Sequence, residues 1–136
     1  NSSVRLRSRR IEAETGIEPS SALVLGAGHA SGKKFIRANS DGDTLRYSAL
    51  NLSDVGGITC RVAAAQIGGT IELHRDSAQG ELLALMEVRP TGAWNIWEEV
   101  QSQFKSVDKR GDVVVVFKNL GQTNFLSLDW LQFNPK

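Results

Sequence analysis

The chain has 136 residues, with 16 Lys and Arg against 15 Asp and Glu, and a single cysteine. This length fits one domain around one core, and the near-neutral balance gives no long-range field for gathering nucleic acid or an anionic membrane. Cys60 has no intramolecular disulfide partner, no Cys and His cluster has zinc spacing, and no stretch approaches the roughly 18 apolar residues of a membrane span.

Residues 1–10, made basic by Arg5, Arg7, Arg9 and Arg10, read as a solvated linker to a larger parent protein, and residues 11–136 as the folded module. The chain starts at Asn1 without an initiator Met or signal peptide, so it is expected to be cut from a longer protein. Leu23 to Lys33, with Gly26, Gly28 and Gly32, imitates a strand running into a phosphate loop, but Ala27 and Lys34 stand where a Walker loop needs Gly and Ser or Thr. Lys33 to Asn39 is also too short for the helix whose N-terminus would hold the phosphates, and Asp41-Gly42-Asp43 then breaks the chain.

Further on, Ile58 to Val62 and Thr70 to His74 alternate apolar and polar residues as half-buried strands do. After the turn Asp76 to Gly80 comes Leu82 to Val88, so residues 58–88 are predicted to form three successive antiparallel strands. His74-Arg75-Asp76 sits at a strand end, and neither His29 nor His74 accompanies a nucleophile motif. Glu98 and Glu99 are adjacent, so on a strand they face opposite ways and cannot flank one glycosidic bond. Asp112 to Phe117 suits a strand covered on both sides, or a helix too short to be stable, and its β-branching favours the strand. Phe125 to Phe133 carries Leu126, Leu128 and Trp130 at period two. Many short strands with glycine-rich turns predict an all-β fold, a jelly-roll β-sandwich of two antiparallel sheets.

Six fragments, in order, carry a resemblance. They are Ile11-Glu12-Ala13-Glu14, Cys60-Arg61-Val62-Ala63, Gly68 to Leu73, Arg75 to Gly80, Thr91-Gly92-Ala93-Trp94-Asn95-Ile96-Trp97, and Leu128 to Phe133. Together they resemble the family 6 carbohydrate-binding modules over residues 11–134. The resemblance implies a jelly roll attached to a glycoside-active enzyme, with a sugar site in the loops at one end. Trp94 follows the turn Thr91-Gly92-Ala93, which places it on a loop where its ring can meet the apolar face of a sugar; the alternative is packing under a neighbouring loop. Trp97 and Trp130 are expected in the core.

The chain departs from the family pattern at two contacts. Arg37 or Ala38 stands where a second aromatic is expected, and Ser127 replaces the ligand-bonding Asn. Serine still donates and accepts a hydrogen bond, but with shorter reach. The loop site is then weakened, or takes a different sugar with help from Arg37, Asn39 or Asn124, or binding has moved to the sandwich face. Arg37 would suit an acidic or sulfated sugar. Glu12 and Glu14, at i and i+2 on a strand, point the same way, about 7 Å apart, within reach of one hard cation; the bland alternative is a solvated strand edge. The resemblance implies a structural Ca2+ held by Glu12, Glu14 and Asp129.

These readings converge on a non-catalytic module, a monomer, that binds polysaccharide or oligosaccharide for a covalently linked enzyme domain of a secreted or periplasmic bacterial protein. A scaffold or adhesion sandwich that has lost sugar binding is the alternative, and a small jelly-roll hydrolase the third.

Overall fold

In a computed structural model, which describes residues 9–16, 23–26, 34–107, 110–119, 121 and 123–136, the alternating segments become strands. The expectations for residues 1–8 and for segment 27–33, including His29, lie outside the described residues. The strands are β1 (Arg9–Glu12), β2 (Leu23–Gly26), β3 (Lys34–Ser40), β4 (Asp43–Asn51), β5 (Val55–Ala63), β6 (Gly69–Arg75), β7 (Leu82–Val88), β8 (Glu98–Gln103), β9 (Arg110–Lys118) and β10 (Thr123–Pro135). One sheet runs β2-β3-β10-β5-β8 with β1 also on β10; the other runs β4-β9-β6-β7; every pairing is antiparallel. The chain is therefore the two-sheet β-sandwich that its patterning predicts, and no described helix is long and apolar enough to cross a membrane.

Alternation sorts each strand. Ile36 and Ala38, Cys60 and Val62, Ile71 and Leu73, and Val113, Val115 and Phe117 point between the sheets and form one core. Each fully buried Val, Leu, Ile or Phe contributes about 1.5–3 kcal/mol. β9 is central in its sheet, and its outward Val114 and Val116 are buried as well, so the apolar run is a strand covered on both faces. Lys34 to Ser40 is a strand, which removes the helix that a phosphate loop would need.

Residues 58–88 do not form three neighbouring strands. β6 pairs β7, but β5 lies in the opposite sheet between β10 and β8. The chain crosses between the layers at Ala64–Gly68, where Gly68 adopts φ +95° and a Cβ would stand 2.3 Å from the Val88 carbonyl oxygen.

The last strand changes face partway along. Leu128 pairs with Val62 and Trp130 with Arg61, so Asp129 is the extra residue of a bulge. Leu126 and Leu128 point into the core before it, Leu131 and Phe133 after it. Trp130 is thus turned out of the core, contrary to the period-two reading, and it is buried on the outer face under Arg10, whose guanidinium carbon lies 3.8 Å from the ring centroid. The first strand also differs from expectation. It begins at Arg9, and it ends at Glu12, where Ala13–Thr15 forms a 3-10 turn closed by Thr15 Oγ1 donating to the Glu12 carbonyl at 2.7 Å. Glu14 sits in that turn and not on the strand.

Candidate functional site

With Ile36 and Ala38 committed to the core, strand geometry puts Phe35, Arg37 and Asn39 of β3 on the outer face of the first sheet. Ser127 of β10 stands directly between Arg37 of β3 and Ala63 of β5 in the register. The Trp94 loop is tied over this face from the end of β5. The Thr91 amide donates to the Ala64 carbonyl at 2.6 Å, the Ala64 amide donates to Thr91 Oγ1 at 3.1 Å, and the Ile96 amide closes a turn on the Ala93 carbonyl at 3.2 Å. Gly92, at φ +101°, supplies the left-handed residue that the bend requires.

This anchoring brings three expected residues together. The Arg37 guanidinium carbon lies 3.8 Å from the Trp94 ring centroid, and Arg37 Nε donates to Ser127 Oγ at 3.2 Å. Beside Trp94 an open cleft of about 380 Å³ is lined by Ala65, Gln66 and Ile67, and Ile67 is 40% exposed. Trp94 is on a loop, as its sequence context predicts. Ser127 is completely buried, with its hydroxyl engaged by Arg37, so it supports the arginine and does not reach outward to a ligand itself. Asn39 makes its described bond through its backbone, donating to Asp43 Oδ2 at 2.8 Å, and no hydrogen bond joins its side chain to Arg37 or Ser127. Asn124 falls in β10, but its side chain lies outside the described residues.

Arg37 differs electrostatically from other arginines of the chain. Arg46 is paired with Asp112 and Arg61 with Asp129, whereas no carboxylate lies within ion-pair distance of Arg37 among the described residues. Burial lowers the pKa of its guanidinium from the usual value, which reflects the unfavourable placing of an unneutralised charge. The group stays protonated at neutral pH.

The rest of the outer face was less legible in the sequence. Trp97 is not in the core; its ring meets Phe35 edge-on at 5.4 Å, and the Arg61 guanidinium carbon lies 5.0 Å from its centroid. Phe35 and Arg61 therefore hold the end of the Trp94 loop, and the signal for Phe35 was its place two residues before Arg37.

Beside Arg61, along β10 from Ser127, lies Asp129, the acid expected to act with Glu12 and Glu14. Pairing of Glu12 with Trp130 sets it beside the bulge that turns Asp129. Each acid carries one buried carboxylate oxygen to which the described residues donate no hydrogen bond, namely Glu12 Oε1, Glu14 Oε1 and Asp129 Oδ1. Asp129 Oδ2 is held by Arg61, and Glu12 makes a further contact. Buried hard oxygens suit calcium chemically. Among the described residues, however, no three His, Cys, Asp or Glu side chains meet as one metal-binding group. An ion at this place would have to draw the acids together.

Comparison with known proteins agrees with this fold. The family model "Carbohydrate binding module (family 6)" matches residues 12–135. An arabinoxylan arabinofuranohydrolase from Paenibacillus polymyxa is 30% identical over 131 residues, which is 93% of this chain and 20% of that protein. The chain thus spans about a fifth of that relative's length. Among solved structures, a family 6 carbohydrate-binding module from Clostridium cellulolyticum in complex with xylose superposes with TM-score 0.85 at 30% identity, covering 93% of this chain and 96% of that one. A β-1,3-glucan-binding module of the same family from Bacillus halodurans gives TM-score 0.84 at 29% identity, covering 93% and 95%.

Proposed function

Because the chain belongs to the family 6 carbohydrate-binding modules, we propose that it acts without catalysis, as a monomer, to hold a secreted or periplasmic carbohydrate-active enzyme on its polysaccharide through the loop site at Trp94. The observation that carries this reading is the indole, tied over the outer face by Thr91 and opening beside Ala65, Gln66 and Ile67. A relative named for acting on arabinoxylan, a similar module in complex with xylose and another that binds β-1,3-glucan support β-linked polysaccharides as the substrate class. They favour sugar binding over a scaffold that has lost it.

Magnitudes indicate a weak site. Contact over about 60 Å² of indole is worth about 1.5 kcal/mol at about 25 cal/mol/Å², little against the cost of association. Arg37 already covers part of the ring. Dissociation constants near or above about 0.1 mM follow, and retention on a polymer then depends on several contacts acting together. A structural calcium at Glu12, Glu14 and Asp129 belongs to the same reading. It would pin the first strand and its turn to the last strand and leave the sugar chemistry to the loops. Glycan-array binding by the intact protein and by Trp94→Ala tests the function: equal binding by both would place the sugar elsewhere, and no binding by either would reject the module's proposed activity.

A further inference from the structure

Arg37 has the features of an anion subsite. Its guanidinium carbon lies over the Trp94 ring, 3.8 Å from the centroid, and its Nε donates to the fully buried Ser127 hydroxyl at 3.2 Å. Four of the five N–H donors remain after the Ser127 bond, including the terminal pair that grips a planar anion in two parallel hydrogen bonds. No described carboxylate neutralises it. A rigid, partly buried cation without a counter-ion has paid its conformational cost before a ligand arrives. The cleft beside Trp94, lined by the indole with Ala65, Gln66 and Ile67, contributes no acidic side chain that would repel an anion.

We infer that the loop site selects a carbohydrate bearing an anionic group, and that Arg37, positioned by Trp94 and Ser127, binds that group while the sugar lies along the indole and the Ala65–Ile67 cleft. The inference rests on the loop-site reading above and specifies its ligand. A uronate carboxylate and a sulfate ester share the required chemistry. The carboxylate, being planar, matches the guanidinium fork with two bonds, and it is the better fit.

The test is titration calorimetry of the intact protein with a uronate-bearing xylo-oligosaccharide, its carboxyl-reduced counterpart and a sulfated oligosaccharide of similar length. The acidic ligand is expected to bind about tenfold more tightly than the reduced one, from one charge-assisted bidentate contact, and to lose affinity as salt rises. Tighter binding of the sulfated sugar would assign the subsite to sulfate instead of carboxylate. Arg37→Gln should abolish the preference for the acidic over the reduced ligand, read as the ratio of the two affinities whatever the change in each, with its melting curve as the control for folding. Equal affinity for acidic and reduced ligands in the parent protein overturns the inference but leaves sugar binding at Trp94 standing. Absence of all binding, or binding that Trp94→Ala does not change, overturns the loop-site reading and this inference with it.

Discussion

Arg61 donates to the carboxylate of Asp129 across β5 and β10, and the acid that it holds is 0% exposed while the arginine is 28% exposed. Removing one member of such a pair leaves a buried charge poorly compensated. Arg61→Met is therefore expected to lower stability by about 2–3 kcal/mol, less than for a pair buried on both sides, and Asp129→Asn in the same chain should restore part of the loss. Urea unfolding measures both. A single-variant change below about 0.5 kcal/mol, the range of an ordinary surface substitution, would show that the pair does not support the fold.

Calcium should raise the melting temperature. An ion at a hundred times its dissociation constant adds about 2.7 kcal/mol, which for a domain of this size is a shift of roughly 5–10 °C. Chelator should reverse the shift, and Glu14→Gln should remove it. An unchanged melting temperature in chelator, with no metal found by elemental analysis, eliminates the ion.

Trp130→Ala should destabilise by about 3 kcal/mol, the lower end for a buried tryptophan, because its ring lies under Arg10 on the outer face and not between the sheets. Arg10→Ala should then reproduce only a small part of that loss. A melting curve for Trp130→Ala that coincides with the parent's would show that the ring contributes no packing.

Restoring the family's groups should tighten the binding of neutral sugars, but only in combination. Ser127 is buried against Arg37, so Ser127→Asn alone must displace the guanidinium, whereas Arg37→Tyr first clears that space. The double variant is expected to bind neutral xylo-oligosaccharide more tightly than either single one, a non-additivity that titration calorimetry reads directly.

Stability should fall at alkaline pH. Burial pushes both the Cys60 thiol and the Tyr47 phenol up, and Tyr47 is raised further by the nearby Cys60 and Glu14. The unfolded chain then releases these protons first, so their contribution is complete at neutral pH and declines above about 9 for the thiol and about 10 for the phenol. Each adds about 1.4 kcal/mol of loss per pH unit in that range. Cys60→Ala should flatten the first part of the decline, as followed by unfolding at pH 8 to 11; an identical slope would assign it to other groups.

The sandwich was legible because alternation is local. Ile58 to Val62 and Thr70 to His74 state their faces in five residues each, and the all-apolar Val113 to Phe117 states that it is central. Sheet membership was not legible, since β5 and β6 look alike to a period-two argument and only the crossing at Gly68 separates them. The face of Trp130 was misread for a related reason, whereas Trp97 lies before β8 begins and belongs to the Trp94 loop. A bulge adds one residue without a marker in composition, and everything beyond Asp129 changes side. Trp94, Arg37 and Ser127 were identified singly, but their joint arrangement, with the arginine lying on the indole, depends on how Thr91 ties the loop to β5.

β10 pairs β1 and β3 along one side and β5 along the other, and this sets the order in which the molecule can be made. Until residue 135 has left the ribosome, the first sheet lacks its middle, and its earlier strands wait with unsatisfied edges while synthesis proceeds. Closure then depends on contacts between distant parts of the chain, the topology that folds in milliseconds to seconds. Nascent chains stopped at residue 118 should be digested by protease along the whole first sheet, and a resistant fragment containing β3 and β5 would show that this sheet forms without its central strand.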